Sequence, residues 1–203
     1  MLHAAQGERL DDRSSARSRR DGATARRARE LGREDAVALS GAGFALAYVA
    51  GKVDEGAKLI QRALLLNPNL AWGWYFSGWV RIYLGEPETA IEHATLAMRL
   101  SPNDPHLFIM EAVVSYGHLY AGRFDEAVSW AELAVRESYP TAWRALAASC
   151  ALSGRHEQAR KAMAQLREFD PALRLSDLKD AIPLRPKDLE LLTRGLRLAG
   201  LPE

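Results

Sequence analysis

Apolar and small residues recur along this chain with a period of 34 residues. Two units carry a glycine, a small residue, an alanine and a proline at fixed intervals, and two later units repeat most of this skeleton. In the unit 37–70 these are Gly51, Gly56, Ala63 and Pro68. In the unit 71–104 they are Gly85, Ala90, Ala97 and Pro102. The same skeleton returns around Gly122 and Gly154, and a period of this length predicts a stack of helical hairpins.

Two helices are predicted within each unit. The first ends at the glycine, because glycine most readily takes the left-handed conformation that stops a helix. A short acidic turn begins the second helix, whose apolar side chains recur at three- and four-residue steps. Pro68, Pro102 and Pro171 end the second helices, because the residue before proline is pushed out of the helical conformation.

The spacing between the helix-ending glycines is 34, then 37, then 32 residues. The longer interval predicts three extra residues in the first helix of the third unit, around 118–120. The shorter interval predicts a tightened turn at 138–140. Both departures are expected to bend the stack locally.

The two ends of the chain depart from the repeat. Residues 1–21 are polar and are predicted to form a disordered, arginine-rich head. Nine arginines precede Ala36, with seven acids among them. The head is therefore interpreted either as a basic arm that contacts phosphate or as a solvated tail. Residues 22–35 resemble the second helix of a truncated repeat, which suggests that a longer parent protein lost its front half.

After Pro171 the pattern predicts a connection over 173–186, interrupted by two prolines, and then a last amphipathic helix. The apolar side of that helix consists of Leu189, Leu192, Leu196 and Leu198. Its natural role is to cover the apolar end of the stack. The predicted organisation is therefore four hairpins, at 36–70, 71–104, 105–139 and 140–172, followed by a connection and a capping helix at 173–203.

Composition excludes several classes of protein. Apolar residues make up 48% and charged residues 26% of the chain, and the net charge of +1 gives no overall attraction to nucleic acid or membrane. Cys150 is the single cysteine, so no internal disulfide can form. The sequence has neither an apolar run of about 18 residues nor a secretory signal. We therefore expect no membrane span and a cytoplasmic location.

The motifs of enzymes and metal proteins are missing from the sequence. The five histidines lack metal-ligand spacing, and neither a phosphate-binding loop nor a nucleophile elbow occurs. Acidic pairs such as Asp125 and Glu126 begin helices, where they complement the helix dipole. Cys150 lies among small residues and is expected in the core. The sequence therefore predicts no enzymatic activity, no cofactor and no metal.

Unit 71–104 resembles the tetratricopeptide repeat. Six of eight signature positions match, at Trp74, Gly78, Gly85, Ala90, Ala97 and Pro102. Arg81 and Ala94 stand where the repeat usually has tyrosine and another aromatic residue. The resemblance extends over about residues 36–173 and implies an all-α fold, a right-handed α-α superhelix with Trp74 in its core. It also implies a role in protein–protein interaction.

A narrower resemblance is to the C-terminal repeat region of bacterial adenylate/guanylate cyclase proteins. It is carried by short strings at 66–71, 77–81, 84–87, 90–94, 97–102 and 195–203. In that family a cyclase domain precedes the repeats, but nothing before residue 36 matches its metal-binding aspartates. The resemblance implies a regulatory or C-terminal fragment without cyclase activity.

Ten residues are candidates for a partner groove, because their repeat positions line the concave face in tetratricopeptide folds. They are Trp72, Tyr75, Trp79, Ile82 and Tyr83 of the second unit, His106, Ile109, Val113 and Tyr116 of the third, and Arg144 of the fourth. Aromatic and arginine side chains commonly anchor bound peptides. The alternative is that these rings pack on a neighbouring hairpin or on the C-terminal helix.

Three functions remain in view. The leading hypothesis is a non-enzymatic scaffold that binds a protein or peptide partner in this groove, or that self-associates. The second is a regulatory fragment of a cyclase-type signalling protein. Nucleic-acid binding ranks below both, because the units do not repeat polar base-reading residues on one face.

Overall fold

A computed structural model describes residues 35–137 and 139–203. The predicted head at 1–21 and all but the last residue of the predicted truncated repeat at 22–35 lie outside the described residues. Within the described residues all regular secondary structure is helical.

Eight helices pair into four successive hairpins. They are α1 (Ala36–Tyr48), α2 (Val53–Leu66), α3 (Ala71–Leu84), α4 (Pro87–Leu100), α5 (Leu107–Tyr120), α6 (Phe124–Ala134), α7 (Pro140–Leu152) and α8 (His156–Phe169). The first helices of neighbouring hairpins contact each other, and the second helices of the first three hairpins each pack between two first helices. This is the predicted all-α superhelix of helical repeats.

The predicted glycine follows the last residue of each first helix within one to three positions. Gly51, Gly85, Gly122 and Gly154 all have φ between +65° and +82°. The amide that follows the glycine reaches back to the helix, as Arg123 N does to the carbonyl of His118 at 2.9 Å. This pattern satisfies carbonyl groups that the last helical turn would otherwise leave free.

Small residues let the two helices of a hairpin approach closely. A Cβ at Gly43 of α1 would lie 2.7 Å from the carbonyl oxygen of Gly56 in α2. In the second hairpin the small residues at the same interface, Ala90, Ala94 and Ala97, are fully buried. The periodic small residues of the sequence are therefore the contact surface between paired helices.

The prediction of three extra residues within the first helix of the third unit is wrong. Helix α5 has 14 residues, as α3 has. The extra length lies instead in the connection 101–106, which is longer than the connection 67–70, and at Ala121. Since a loop absorbs added residues without moving helical side chains off their face, the contact surface of α5 is preserved.

The predicted shortening before the fourth unit is present and has two parts. Helix α6 has 11 residues and tightens into a 3₁₀ turn over Val135–Glu137. Tyr139 then immediately precedes α7.

Ion pairs link the later hairpins in a repeating arrangement. The arginine after a helix-ending glycine reaches the acid at the start of the preceding hairpin's second helix. Arg123 contacts Glu88 at 2.6 Å, and Arg155 contacts Asp125 at 2.7 Å. In the second hairpin Glu86 replaces the arginine and pairs with Arg81 of the same hairpin at 2.7 Å.

The chain after α8 contains a 3₁₀ turn at Leu175–Asp177, the short helix α9 (Leu178–Ala181) and the last helix α10 (Pro186–Leu198). Helix α10 packs on α7, where a Cβ at Gly195 would lie 2.9 Å from the carbonyl oxygen of Ala148. Leu192 and Leu196 are fully buried. The last helix thus covers the first helix of the fourth hairpin.

Candidate functional site

Aromatic rings connect the first helices of the first three hairpins and Tyr139, the residue before α7, along one surface, here called the first-helix face. One series of ring contacts runs through Phe44, Phe76, Trp72, His106, Phe108 and Tyr139. A second runs through Tyr48, Tyr83, Trp79, Tyr116 and Tyr120. Centroid separations in the two series range from 4.9 to 6.2 Å, within the range in which rings attract one another.

Members of both series line a cavity of about 210 Å³ on this face, here called the tyrosine cavity. Its wall consists of Phe44, Tyr48, Tyr75, Trp79, Tyr83, Tyr116, Tyr139, Thr141, Arg144 and Ile182. All but Tyr139 and Ile182 lie on first helices. The hairpin stack therefore brings together rings from units that are far apart in sequence.

Arg144 supplies the only cationic side chain of this wall. Its Nε atom is buried and has no hydrogen-bond partner, and no acid among the described residues forms an ion pair with it. A buried donor without an acceptor is costly, because desolvation is not compensated. The cavity wall thus holds an unused, charged hydrogen-bond donor.

Burial keeps the hydroxyls of Tyr75, Tyr83 and Tyr116 neutral. Burial raises the pKa of Tyr116 to about 12, although the nearby positive charge of Arg144 opposes the shift. Burial likewise raises the pKa of Tyr75 and Tyr83 well above the ordinary value. Because these groups do not ionise near neutral pH, they offer Arg144 no negative charge. An incoming anion would be the first negative charge in the wall.

One wall of the cavity comes from the C-terminal region. Residues 182–185, here called the strap, connect α9 to α10 and cross the first-helix face. Ile182 lines the cavity, and Leu184 packs against the core. The guanidinium of Arg185 lies on Gly85 so closely that no Cβ fits there, and its Nε donates to Asp188 Oδ2 at 2.8 Å. The strap thus spans from the fourth hairpin back to the second.

Five of the ten sequence-predicted residues line the tyrosine cavity, namely Tyr75, Trp79, Tyr83, Tyr116 and Arg144. Ile82, Ile109 and Val113 are buried in the core away from its wall. Trp72 is 36% exposed and touches exposed His106, with their ring centroids 5.8 Å apart. These two lie on the same face but outside the cavity.

Trp74 occupies the core only in part. Its ring packs edge-on to His93 at 4.8 Å and remains half-buried. The indole Nε1 donates to the carbonyl oxygen of Pro68 at 2.8 Å. The side chain therefore joins its own hairpin to the preceding connection instead of filling the centre of the stack.

Five residues of the cavity wall were not predicted from the sequence: Phe44, Tyr48, Tyr139, Thr141 and Ile182. For two of them a signal was available. Phe44 and Tyr48 lie 35 residues before Trp79 and Tyr83, whereas the glycine-based alignment uses 34. The connection after α1 is longer than the one after α3, which displaces the alignment of the first helices by one position.

Metal sites and membrane-spanning helices were also considered as features of the described residues. Among residues 35–137 and 139–203, no group of three histidine, cysteine or acidic side chains is arranged to hold a metal ion. In the same described ranges, no helix combines the length and the apolar character that crossing a membrane requires.

No protein-family model and no curated protein sequence matches the chain. Solved structures do. PilW, described as a widely conserved type IV pilus biogenesis factor, is 16% identical with a TM-score of 0.68, covering 94% of this chain and 84% of that one. YrrB, described as a TPR protein with an unusual peptide-binding site, is 18% identical with a TM-score of 0.55, covering 86% and 92%.

MamA from Desulfovibrio magneticus RS-1 is 16% identical with a TM-score of 0.56, covering 81% of this chain and 95% of that one. At these identities the similarity concerns the fold and does not extend to a ligand. Together with the four hairpins that carry a positive-φ glycine between their two helices, it shows that this chain has the tetratricopeptide-repeat fold.

Proposed function

We propose that this chain is a non-enzymatic scaffold that binds an extended segment of a partner protein on the first-helix face. The observation that carries the proposal is the unpaired, buried Nε of Arg144 in the wall of the tyrosine cavity. Aromatic rings around a single arginine are typical of surfaces that anchor a peptide at a few positions. The description of YrrB as a peptide-binding TPR protein supports the same use of the fold.

The chemistry of the wall selects the ligand. Tyrosine and tryptophan rings favour an apolar side chain, because contact with them removes apolar surface from water. Arg144 favours a carboxylate, which the planar guanidinium can contact through two parallel hydrogen bonds. The expected ligand is therefore a segment in which an aliphatic or aromatic residue lies next to an acidic one.

A displayed peptide library tests this proposal. Panning on the full chain is expected to enrich peptides that carry an acid beside an apolar residue. The Arg144→Gln variant should lose the preference for the acid and keep part of the apolar preference. Arg160→Gln, an exposed position on α8 outside the cavity, is the matched control and should select the same peptides as the parent chain. Identical selection by the Arg144→Gln variant would contradict the proposal.

We further propose that the scaffold acts in the cytoplasm and that its partner can be a second copy of the chain. The alternative function is a regulatory fragment of a cyclase-type signalling protein. The cyclase alternative rests on the short strings at 66–71 and 97–102. Translation of the DNA upstream of Met1 tests it, since a cyclase domain in the same frame would favour a fragment of a signalling enzyme. Intergenic DNA there would favour the independent scaffold.

A further inference from the structure

We propose that the strap, residues 182–185, is an intramolecular competitor that covers the partner site and must lift for a ligand to enter fully. This inference rests on the proposed function in one respect: the tyrosine cavity is where the partner binds. It adds a regulatory property, because the chain itself supplies a segment that occupies the same surface.

The size of the cavity is the first support. Its volume of about 210 Å³ falls below the roughly 300 Å³ at which pockets begin to hold small ligands. Ile182 forms part of the wall, so the strap itself limits the space. Removal of this side chain from the wall would enlarge the cavity along the first-helix face.

The way the strap is held is the second support. Pro183 lacks an amide hydrogen, and Leu184 N donates within the strap, to the carbonyl of Ile182 at 2.8 Å. That hydrogen bond would survive detachment. Ile182, Leu184 and Arg185 hold the strap to the hairpins through side chains. Segments held in this way open at lower free energy than hydrogen-bonded core helices.

The anchors at both ends are the third support. Before the strap, Leu178 is 1% exposed, and after it Gly195 of α10 packs on Ala148 of α7. The strap is thus a short crossing between two fixed points, and it can lift without release of α10. Its local concentration at the cavity stays high in the closed form, so a free ligand competes with a tethered one.

Dye binding to the full chain tests the inference. One probe is 8-anilinonaphthalene-1-sulfonate, which joins aromatic rings to a sulfonate, and the other is the uncharged N-phenyl-1-naphthylamine. The double variant Ile182→Ala, Arg185→Ala removes two of the side chains that hold the strap. Lys187→Ala, an exposed position two residues beyond, is the matched control.

The double variant is expected to bind both dyes about tenfold more tightly than the parent chain, because the competent fraction rises. The control should bind them as the parent does, and circular dichroism should show equal helicity. Unchanged dye affinity in a folded double variant would overturn the inference.

Addition of Arg144→Gln separates the two proposals. If the anionic dye loses its increase in affinity while the uncharged dye keeps it, both the competition by the strap and the anion preference of Arg144 are supported. If both dyes keep their increase in affinity, the competition by the strap is supported and the anion preference of Arg144 is contradicted.

If the double variant does not fold, hydrogen exchange of the unaltered chain tests the inference instead. The Leu184 and Arg185 amides should exchange faster than the central amides of α10. Equal protection would overturn the inference.

Discussion

The guanidinium of Arg185 lies against Gly85, although the two residues are 100 positions apart in the sequence. Gly85 ends the first helix of the second hairpin, and Arg185 ends the strap. This contact fixes the strap across the first-helix face instead of letting it pass around the end of the stack. The binding surface and its cover are therefore parts of one arrangement.

Alanine at Gly85 tests that contact, with alanine at Gly122 as the matched control. Both glycines have positive φ, +73° and +78°, so alanine should lower the free energy of unfolding by about 1–2 kcal/mol at either position. Among the described residues, a Cβ built at Gly85 would meet Arg185, whereas one built at Gly122 would have no atom within 4 Å. Hydrogen exchange should therefore accelerate in residues 182–188 of the Gly85→Ala variant alone. Equal acceleration in both variants would show that Arg185 does not fix the strap.

The packing of α10 on α7 gives a second expectation. A Cβ at Gly195 would meet the Ala148 backbone at 2.9 and 3.0 Å, and backbone cannot move aside as a side-chain tip can. Gly195→Ala should therefore lower the free energy of unfolding by about 1–3 kcal/mol in urea titrations. Gly41→Ala in α1 is the control, because no atom of residues 35–137 or 139–203 lies within 4 Å of a Cβ built there. Alanine at that position should stabilise the helix by about 0.5–1 kcal/mol. A neutral or stabilising Gly195→Ala would mean that α10 is not tightly docked.

The ion pair between hairpins two and three predicts an acid dependence. Hydrogen bonds from Arg123 lower the pKa of Glu88 below its ordinary value of 4.5. The pair therefore stabilises the fold above that value and loses its effect as the pH falls through the lowered pKa. Because Glu88 is exposed, Glu88→Gln should cost less than about 1 kcal/mol at pH 7 and nothing at pH 2.

Urea titrations at the two pH values measure this difference. Glu92→Gln, an exposed position on the same helix, should cost nothing measurable at either pH. An equal cost of Glu88→Gln at both pH values would contradict the electrostatic origin of the effect.

The free energy of unfolding should also depend on pH through His93, in a higher range than through Glu88. Burial, with the charge of Arg81 nearby, lowers its pKa from 6.5 to about 4, and its Nδ1 lies 2.9 Å from the hydroxyl of Ser77. The folded state therefore favours the neutral ring. Its stabilising effect is complete above pH 6.5 and declines as the pH falls towards 4, by on the order of 1–2 kcal/mol given the partial exposure.

An NMR titration of the His93 ring should give a midpoint near 4, and His93→Gln should flatten part of the stability slope between pH 6.5 and 4. The remaining slope is expected from His118, whose pKa is also lowered, by burial and by Arg123. A His93 midpoint near 6.5 would contradict the buried setting.

The repeat pattern was enough to predict the hairpins, because each glycine, alanine and proline acts within its own unit. Gly85 and Gly122 end helices through a local backbone conformation, and Ala90 faces its partner helix through a contact between adjacent elements. Such features depend on neighbours close in sequence. Repeat position also placed Trp79 and Tyr116 on the shared face, where they line the cavity.

The strap could not be predicted in the same way. Ile182 lines the tyrosine cavity and Arg185 lies on Gly85, and no periodicity encodes these placements. The sequence around them shows only two prolines and an irregular pattern. The insertion in the third unit was misplaced for a related reason. Counting residues between Gly85 and Gly122 gives the added length but not whether a helix or the loop at 101–106 holds it.

Competition between partner and strap is tested by hydrogen exchange of the full chain, with and without a library-selected acidic peptide. Peptide binding should change exchange in opposite directions: amides in α3 and α7 should exchange more slowly, and those of Leu184 and Arg185 should exchange faster. Binding that slows exchange in the strap, or leaves it unchanged, would contradict the claim that partner and strap compete for the tyrosine cavity.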